Sequence, residues 1–501
     1  MSNMRVDVVT GPVRYRWTPL VGLLALAMIP VAALTALLVW SDGQADEHEA
    51  ALDSDATEPV LPAPTPASVS PALTTAVLSY RRAPDSMADA GNDNALSDSM
   101  DQLAAFIDER SCLAVSVDGR PVTDHYADVA VIPASTQKLF VAAVALDVLG
   151  ADHRFTTSVQ APPVVDGEID GDIFLVGGGD PLLVSTDFPT DRDRFPEFNT
   201  TPLDQLADAV VATGVTVIRG SVVGDGSRYD DEFVNPAWGV DVAFVDAGPY
   251  DALVVNDSRV LGRTARERDP NEAAAREFAR LLSDRGVRIS NGWGSGVADP
   301  AIPVVASIES QTLDAVIAEM LTTSDDDTAE MLLKELGVAD GGVGTAAAGL
   351  DVVTRTLLSW GVPMDGVNLV DASGLSSDNR ATCAAVLAVL QRMEGTAVAS
   401  GLAVAGRSGT LQDAFVGTAM EGRLAAKTGT LGNPPVDLDP PAVKGLAGYL
   451  VTTTGDTVEF VMILNSPDID EPENYAAFWL ALGERLDSYP SGPGASAVGP
   501  R

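Results

Sequence analysis

The octapeptide PASTQKLF, Pro133 to Phe140, opens the stretch that decides how this chain of 501 residues folds. It begins like a helix, and residues 141–149 keep alanine, leucine and valine at helical spacing until Gly150 ends the pattern. Ser135 and Lys138 are three residues apart, so on a helix their side chains share one face. The pair is either a nucleophile with its base or a helix cap followed by a solvated lysine.

A second motif, AAKTGTLGN, begins at Ala425 near the end of the chain. Lys427 is a cation, Thr428 and Thr430 supply hydroxyl groups, and Gly429 allows a ligand to approach the backbone closely. The edge of a strand with these groups can bind an extended peptide and hold a carboxylate. The alternative is an exposed hairpin turn.

A third motif lies between them, in TTSDDDTAEMLL, residues 322–333. Ser324 and the acids after it, including Asp326, precede a helical run, as in an ordinary N-terminal cap. Glu330 supports the interpretation as a cap. A calcium site is the other possibility, but no EF-hand spacing follows.

The three motifs occur in the order S-x-x-K, S-D-D and K-T-G, which is similar to the signature of penicillin-binding proteins and β-lactamases. The interval from Ser135 to Ser324 is nearly twice the interval from Ser324 to Lys427, and far longer than in a class A β-lactamase. It resembles the class C low-molecular-mass penicillin-binding proteins, the D-alanyl-D-alanine carboxypeptidase/endopeptidase family. Further stretches, over roughly residues 105–482, also resemble it: LVGGGDPLL, YDALVVNDSR and VDASGLSSDNRAT.

The resemblance implies an α+β fold, with a penicillin-binding-protein/β-lactamase-like transpeptidase domain whose antiparallel sheet is flanked by helices. A large inserted α/β region would interrupt this domain. The strand-like and helical patterns agree with it, since strands lie at both ends of the globular part. We also predict a hairpin over GEIDGDIFLV, 167–176, and we find no internal repeat. The predicted domains are a catalytic serine D,D-peptidase domain (78–151 and 304–486) and an insert (152–303).

The N-terminal part of the chain predicts export. Residues 20–40 are apolar and uncharged, and at about 1.5 Å per residue they can span a bilayer. Arginines in 1–19 and acids after residue 40 place the N-terminus in the cytoplasm and the rest outside. The segment is an anchor or a cleaved signal peptide, so the protein is single-pass in the cell membrane or secreted. An Ala/Pro/acidic tether (41–77) and a tail (487–501) are predicted to be disordered.

The composition of the chain also bears on which partners and metal sites are possible. The chain has 71 acidic and 31 basic residues, a net charge of −40 that argues against a nucleic-acid partner. Cys112 and Cys383 are its two cysteines, and after export they form either a disulfide, which we favour, or two buried thiols. Together with three histidines they cannot form a convincing zinc site, so we expect no metal.

The resemblance also implies roles for residues. Ser135 would attack the penultimate D-alanine carbonyl of a peptidoglycan stem peptide, Lys138 would take its proton, and Ser324 would relay a proton to the leaving D-alanine. Lys427 would supply positive potential, while Thr428, Gly429 and Thr430 would bind the substrate, the hydroxyl groups contacting its terminal carboxylate. No cofactor is implied. β-Lactams would acylate the same serine.

One position departs from the family pattern, because Asp326 stands where asparagine is usual. An ionised aspartate only accepts hydrogen bonds, so one to the substrate's amide carbonyl would be lost. Near Lys138 an ionised aspartate would also favour the ammonium form and weaken the base. The alternative is that a buried site keeps Asp326 protonated. The predicted activity is a serine D,D-carboxypeptidase, with or without D,D-endopeptidase activity. The alternatives are a β-lactamase or esterase, and a catalytically weak, membrane-tethered wall-binding protein.

Overall fold

The computed structural model describes residues 85–189, 195–239, 242–263, 265–432 and 439–492. Its helices are α1 Asp85–Ala104, α2 Lys138–Leu149, α3 Leu203–Val211, α4 Pro270–Asp284, α5 Leu313–Thr323, α6 Asp326–Gly341, α7 Ala346–Ser359, α8 Cys383–Met393, α9 Ala397–Ser400 and α10 Pro472–Asp487. Its strands are β1 Cys112–Val117, β2 Arg120–His125, β3 Thr156–Gln160, β4 Glu168–Ile169, β5 Ile173–Val176, β6 Leu183–Val184, β7 Thr201–Pro202, β8 Val217–Ile218, β9 Val222–Asp225, β10 Arg288–Ile289, β11 Trp293–Ser295, β12 Val304–Glu309, β13 Ala403–Val404, β14 Leu424–Leu431, β15 Val443–Val451 and β16 Thr457–Asn465.

A six-stranded antiparallel sheet forms the centre, in the order β13-β14-β15-β16-β1-β2. Its strands come from both ends of the described chain, and helices cover both faces. Successive residues of a strand point to opposite faces: Val461 and Ile463 of β16 pack against α2 and α5–α8, whereas Phe460 and Met462 pack against α1 and α10. The prediction of an α+β fold built on an antiparallel sheet is confirmed.

Helix α2 is the innermost helix of its layer. Its first eight residues, 138–145, are all buried. A helix that is apolar on every side has to be buried on every side. The only charge among these eight residues, that of Lys138, is therefore carried into the core at the point where α2 begins.

The region from Thr156 to Glu309 forms separate sheets with α3 and α4. The predicted hairpin at 167–176 is wrong, since β4 pairs with β8 while β5 pairs with β3 and β9. Instead, a short strand, a tight corner and a second strand occur three times, as β4-β5, β8-β9 and β10-β11, and the copies stack in parallel.

This threefold arrangement corrects the expectation of no internal repeat. Ile169, Ile218 and Ile289 lie in register in one sheet of the stack. The copies are unevenly spaced along the chain, so they have no fixed sequence period. At one corner Gly220 has no room for a side chain, because a Cβ atom there would lie 2.3 Å from an Asp172 oxygen.

The limits predicted for the insert, 152–303, stay a prediction. The predicted anchor (20–40) and tether (41–77) lie outside the described residues. The prediction of a disordered tail (487–501) is wrong at its start, because Tyr489 is buried and its hydroxyl donates to Asp93 at 2.9 Å.

Among the described helices, none alone is long and apolar enough to cross a membrane. Only α6 and α7, which are bent by 78° where they meet, are long and apolar enough when they are taken as a pair.

Cys112 at the start of β1 and Cys383 at the start of α8 form a disulfide across the interface between sheet and helices. Their Cα atoms are 5.9 Å apart, and they are separated by 271 residues. The bond therefore closes a loop that contains the whole inserted region. Cross-linking such a long loop restricts the unfolded chain strongly.

Replacing both cysteines by alanine should lower the free energy of unfolding by about 2–5 kcal/mol, because the unfolded chain regains the entropy of this loop. Urea unfolding of the purified protein measures the change. Each single alanine variant serves as a control and should lose nearly as much as the double variant. Unchanged stability after reduction of the parent would contradict the expectation.

Candidate active site

A cleft of about 1010 Å³ lies beside β14. Five of the predicted site residues line it: Ser135, Ser324, Asp326, Thr428 and Thr430. They come from the turn before α2, the junction of α5 and α6, and β14. The three sequence motifs, far apart in the chain, therefore meet at one surface.

Ser135 lies in a 3₁₀ turn, Ala134–Gln137, that leads directly into α2. No side chain caps the start of the turn or of α2, so Ser135 is not the helix cap that one interpretation predicted. Its Oγ lies 3.1 Å from Lys138 Nζ. Gly374 packs against this turn with φ +88°, where a Cβ atom would lie 2.0 Å from the Ala134 carbonyl oxygen, so only glycine fits.

Lys138 has no exposed side-chain surface and three acceptors. Its Nζ donates to Ser135 Oγ at 3.1 Å, to Asp326 Oδ1 at 2.5 Å and to the Ser373 carbonyl oxygen at 2.7 Å. An ammonium group has three protons and no acceptor, so this arrangement uses all of them. Asp326, the residue that departs from the family pattern, is therefore hydrogen-bonded directly to Lys138.

Helix α6 brings two carboxylates toward this lysine from one face. Asp326 and Glu330 are one turn apart, and Glu330 Oε1 accepts from the backbone N–H groups of Ala372, at 3.0 Å, and Ser373, at 2.8 Å. Glu330 therefore holds the loop whose carbonyl contacts Lys138. Burial, together with the charge of Asp371, raises the pKa of Glu330 to about 8.

The N-terminal cap predicted for the middle motif is confirmed, because the side chain of Asp325, one of its acids, accepts from Thr328 N at 3.1 Å. Glu330 takes no part in this cap. Ser324 ends α5 in the left-handed conformation, with φ 72°. This turn reverses the chain between two helices and leaves Ser324 on the wall of the cleft.

Ser324 forms the second pair of serine and lysine. Lys427 Nζ donates to Ser324 Oγ at 2.8 Å and to the Thr428 carbonyl oxygen at 2.9 Å. Lys427 is fully buried, and burial, followed by the nearby charge of Lys138, lowers its pKa well below the usual value, against the opposing effect of Asp326. The lysine is thus more able to release its proton than an ordinary lysine.

The rest of the K-T-G-T motif lies on β14. Thr428 Oγ1 donates to Thr410 Oγ1 at 2.8 Å, while Thr430 is exposed to the cleft and its Oγ1 accepts from Lys444 Nζ at 3.0 Å. Gly429 lets the strand touch the turn that carries the first serine, because a Cβ atom would lie 2.9 Å from the Pro133 carbonyl oxygen.

A buried carboxylate, Asp371, organises the loop behind Lys138. It accepts from Gly374 N at 2.8 Å, Ser376 N at 2.7 Å and Trp238 Nε1 at 2.9 Å. Burial raises the pKa of Asp371, and these donors oppose that rise. The loop lies within VDASGLSSDNRAT, a stretch the sequence singled out without giving its residues a role.

Across the described ranges, no group of three or more histidine, cysteine or acidic side chains is placed to hold a metal ion. The groups that are present suit acyl transfer. One serine has a lysine within hydrogen-bond distance, a second serine has a lysine with a lowered pKa, and threonine hydroxyls stand along a strand at the wall of the cleft.

Comparison with known families decides the assignment. The model of the D-Ala-D-Ala carboxypeptidase 3 (S13) family matches residues 96–268 and 256–481. The chain belongs to this S13 family. It is a serine carboxypeptidase of the low-molecular-mass penicillin-binding type, a hydrolase of the cell wall.

Individual relatives agree with the family assignment. The D-alanyl-D-alanine carboxypeptidase of an Actinomadura species is 29% identical over 411 residues, covering 65% of this chain and 72% of the relative. The carboxypeptidase DacB of Mycolicibacterium smegmatis is 28% identical over 435 residues, covering 82% and 87%. The crystal structure of penicillin binding protein 4 from Haemophilus influenzae has the same fold, with a TM-score of 0.64, 19% identity, and coverage of 79% and 99%.

Some residues of this S13 site carried no signal of their own in the sequence. Ser373 acts through its backbone carbonyl, which no side-chain motif reveals. Glu330 looked like part of a cap because it follows acids at a helix start. Lys444, on β15, belongs to none of the sequence motifs, and only the pairing of β15 with β14 brings it to Thr430.

Glu330 should make the stability of this carboxypeptidase depend on pH. Its pKa is raised from 4.5 to about 8, so the folded protein binds a proton that the unfolded chain releases near pH 4.5. The bound proton stabilises the folded state fully below about pH 4.5, and this contribution is lost as the pH rises through about 8. Between these values the free energy of unfolding should fall by about 1.4 kcal/mol per pH unit for this one proton. Replacing Glu330 by glutamine, which keeps an acceptor for the two N–H groups, should flatten this decline.

Thermal unfolding between pH 5 and pH 8 provides the measurement. The exposed Glu109→Gln variant is the control and should follow the parent. Asp180 and Asp251, whose pKa values burial raises to about 6 and about 7, should preserve part of the slope. A slope identical in parent and Glu330→Gln would contradict the expectation.

Proposed function

We propose that Ser135 is the nucleophile and Lys138 its general base in hydrolysis of the terminal D-Ala-D-Ala bond of peptidoglycan stem peptides. The contact of 3.1 Å between Ser135 Oγ and Lys138 Nζ, at the wall of the cleft, carries this proposal. A serine hydroxyl needs an adjacent base to attack a carbonyl at physiological pH. The backbone N–H groups of Ser135 and Thr430 would stabilise the oxyanion, where one donor is worth roughly 3 kcal/mol.

Lys138 first has to lose a proton, because in this arrangement it donates to all its neighbours. Asp326, 2.5 Å away and partly exposed to the cleft, is the acceptor within reach. We propose that the proton moves from Lys138 to Asp326, which leaves a neutral amine to take the Ser135 proton. This makes Asp326 an internal proton store, and the transfer neutralises the ion pair before Ser135 is deprotonated.

Ser324 and Lys427 form the proposed relay to the leaving D-alanine. The relay requires a lysine that exchanges a proton readily, and the lowered pKa of Lys427 supports this role more than the fixed positive charge that the family resemblance implied. Ser324 Oγ, 2.8 Å from Lys427 Nζ, would pass the proton to the departing amine. The hydroxyl group of Thr430 would donate to the terminal carboxylate, and Thr428, whose hydroxyl donates to Thr410, would line the site beside it.

The cellular setting is part of the proposal. Residues 20–40 would anchor the chain in the membrane, with the enzyme on the outer side facing peptidoglycan. β-Lactams would acylate Ser135 as mimics of the stem peptide. D,D-Endopeptidase activity on cross-links would use the same residues, since it attacks the same kind of bond.

A second candidate, a weakly active wall-binding protein, is favoured by one observation. The contact of 2.5 Å between Lys138 and Asp326 is an ion pair formed by the proposed base. An ion pair that is too stable would prevent turnover while the protein still bound stem peptides. Catalytic measurements on variants of these residues separate the two candidates.

Fluorescent penicillin should label the purified extracytoplasmic part of the parent, and Ser135→Ala should abolish the label, because the acyl bond forms at Ser135 Oγ. Gel fluorescence gives the labelled fraction, and release of D-alanine from a pentapeptide measures hydrolysis. The exposed Ser359→Ala variant on α7 is the matched control and should label like the parent. A parent that neither labels nor releases D-alanine would favour the wall-binding candidate, and rapid loss of the label would favour a β-lactamase.

Asp326→Asn should slow acylation at neutral pH by at least roughly tenfold, because a neutral amide cannot take the Lys138 proton. The initial rate of penicillin labelling measures this effect. If Asp326 instead mainly holds the proton on Lys138, the variant will label faster than the parent. A faster variant would therefore contradict the role of Asp326 as a proton store and favour the weakly active candidate.

A further inference from the structure

Lys444 occupies an unusual place for a lysine. It lies on β15 directly opposite Thr430 of β14, in the antiparallel pair at the wall of the cleft. Only 8% of its surface is exposed, whereas lysine side chains are usually exposed. Residues directly opposite each other on an antiparallel pair have their side chains on the same face, so Lys444 and Thr430 meet there.

The ammonium group of Lys444 contacts one hydroxyl group and two aromatic rings. Nζ donates to Thr430 Oγ1 at 3.0 Å, and it lies 4.1 Å from the ring centroid of Tyr475 and 5.2 Å from that of Trp479. Both rings belong to α10 and line the cleft. A cation held over aromatic rings in a partly dry site is attracted by their negative faces, so the ammonium group is held beside the threonine.

This contact determines which way the threonine hydroxyl can donate. An ammonium group only donates hydrogen bonds, so Thr430 Oγ1 has to accept from it. The single hydroxyl proton of Thr430 is then available to another partner. Because Thr430 is exposed to the cleft, that partner is a ligand, and a carboxylate, which only accepts, is the group that fits.

The other lysine of the motif is less suited to this task. Lys427 is fully buried, donates to Ser324 and the Thr428 carbonyl, and has a pKa lowered by burial. A lysine in that state supplies little fixed positive charge. Lys444, which contacts the threonine at the exposed end of the motif, provides the charge that a substrate carboxylate meets there.

We propose that Lys444 is a positioning residue for substrate selection: through its contact with Thr430 it directs the threonine hydroxyl toward the C-terminal carboxylate of the stem peptide and adds positive charge there. The inference rests on the proposed function of the same cleft. It adds that selection for a free terminal carboxylate depends on β15 as well as on the K-T-G-T strand.

The test uses the purified extracytoplasmic part of the chain and two probes. The first is an N-acylated peptide ending in D-Ala-D-Ala, with kcat and KM measured separately. The second is an N-acyl-D-alanine boronic acid, which forms a tetrahedral adduct with the nucleophilic serine and has no C-terminal carboxylate.

Lys444→Met keeps the apolar stem of the side chain. It should lower kcat/KM for the peptide by about 10- to 100-fold, mainly by raising KM, because a charge-assisted hydrogen bond is lost. Its inhibition constant for the boronic acid should equal that of the parent.

A double-mutant cycle shows whether Lys444 acts through Thr430. In the Thr430→Val background, Lys444→Met should have a much smaller effect on the peptide than in the parent, because only the direct charge of Lys444 remains to be lost, and Lys444→Arg alone should keep most of the kcat/KM. Arg355→Met, which removes a cation from an exposed face of α7, is the control and should match the parent with both probes.

Equal losses for the peptide and the boronic acid would show a purely structural role and overturn the proposal. A full effect of Lys444→Met in the Thr430→Val background would overturn it as well. Failure of the proposed function looks different, because the parent itself would then neither hydrolyse the peptide nor bind the boronic acid.

Discussion

The site depends on one buried ammonium group, that of Lys138. Its three hydrogen bonds reach the serine of its own motif, the aspartate of the middle motif and a backbone carbonyl of the loop at Ser373. These three partners belong to segments that are nearly 240 residues apart at most, and each has to be in place for the charge to be buried without loss of a hydrogen bond. The contacts that fold the helix layer around Lys138 therefore also determine the position of Ser135.

The network behind this lysine explains why the loop can serve as a fixed acceptor. Glu330 holds the N–H group of Ser373, and Asp371 holds those of Gly374 and Ser376, so the carbonyl that faces Lys138 has little freedom to move. Both carboxyl groups are buried, and burial raises the pKa of each. A site of this kind gains precise geometry through buried polar groups, whose pairing restricts the number of alternative arrangements.

The two pairs of serine and lysine are chemically different although they look alike in the sequence. Lys138 is paired with a carboxylate, whereas Lys427 has no carboxylate within hydrogen-bond distance among the described residues, and its pKa is lowered by burial. Asp326 creates this difference, since it contacts only the first lysine. At the position where the resemblance implies asparagine, this chain therefore has a carboxylate that pairs with the first lysine.

Much of the site could be predicted from the sequence, because the spacing of residues within each motif and the order of the motifs are visible there. The apolar pattern predicts helix α2, which begins at Lys138 directly after the turn that contains Ser135, and the order of the three motifs identifies the family. The short stacked strands of the insert could not be predicted, because their spacing is irregular and each is only two to four residues long. The hairpin prediction failed for the same reason: strand pattern alone does not say which sheet a strand joins.

The sequence by itself determined the fold class, the family and the three motifs whose residues meet in the cleft. Only the tertiary structure decided which residues are in contact. Asp326 contacts Lys138, Glu330 contacts the Ser373 backbone, and Lys444 contacts Thr430. The physical reason is that helical spacing and motif order are local properties of the chain. Strand register and the approach of distant loops arise only when the whole core packs, and these contacts decide where each proton and charge resides.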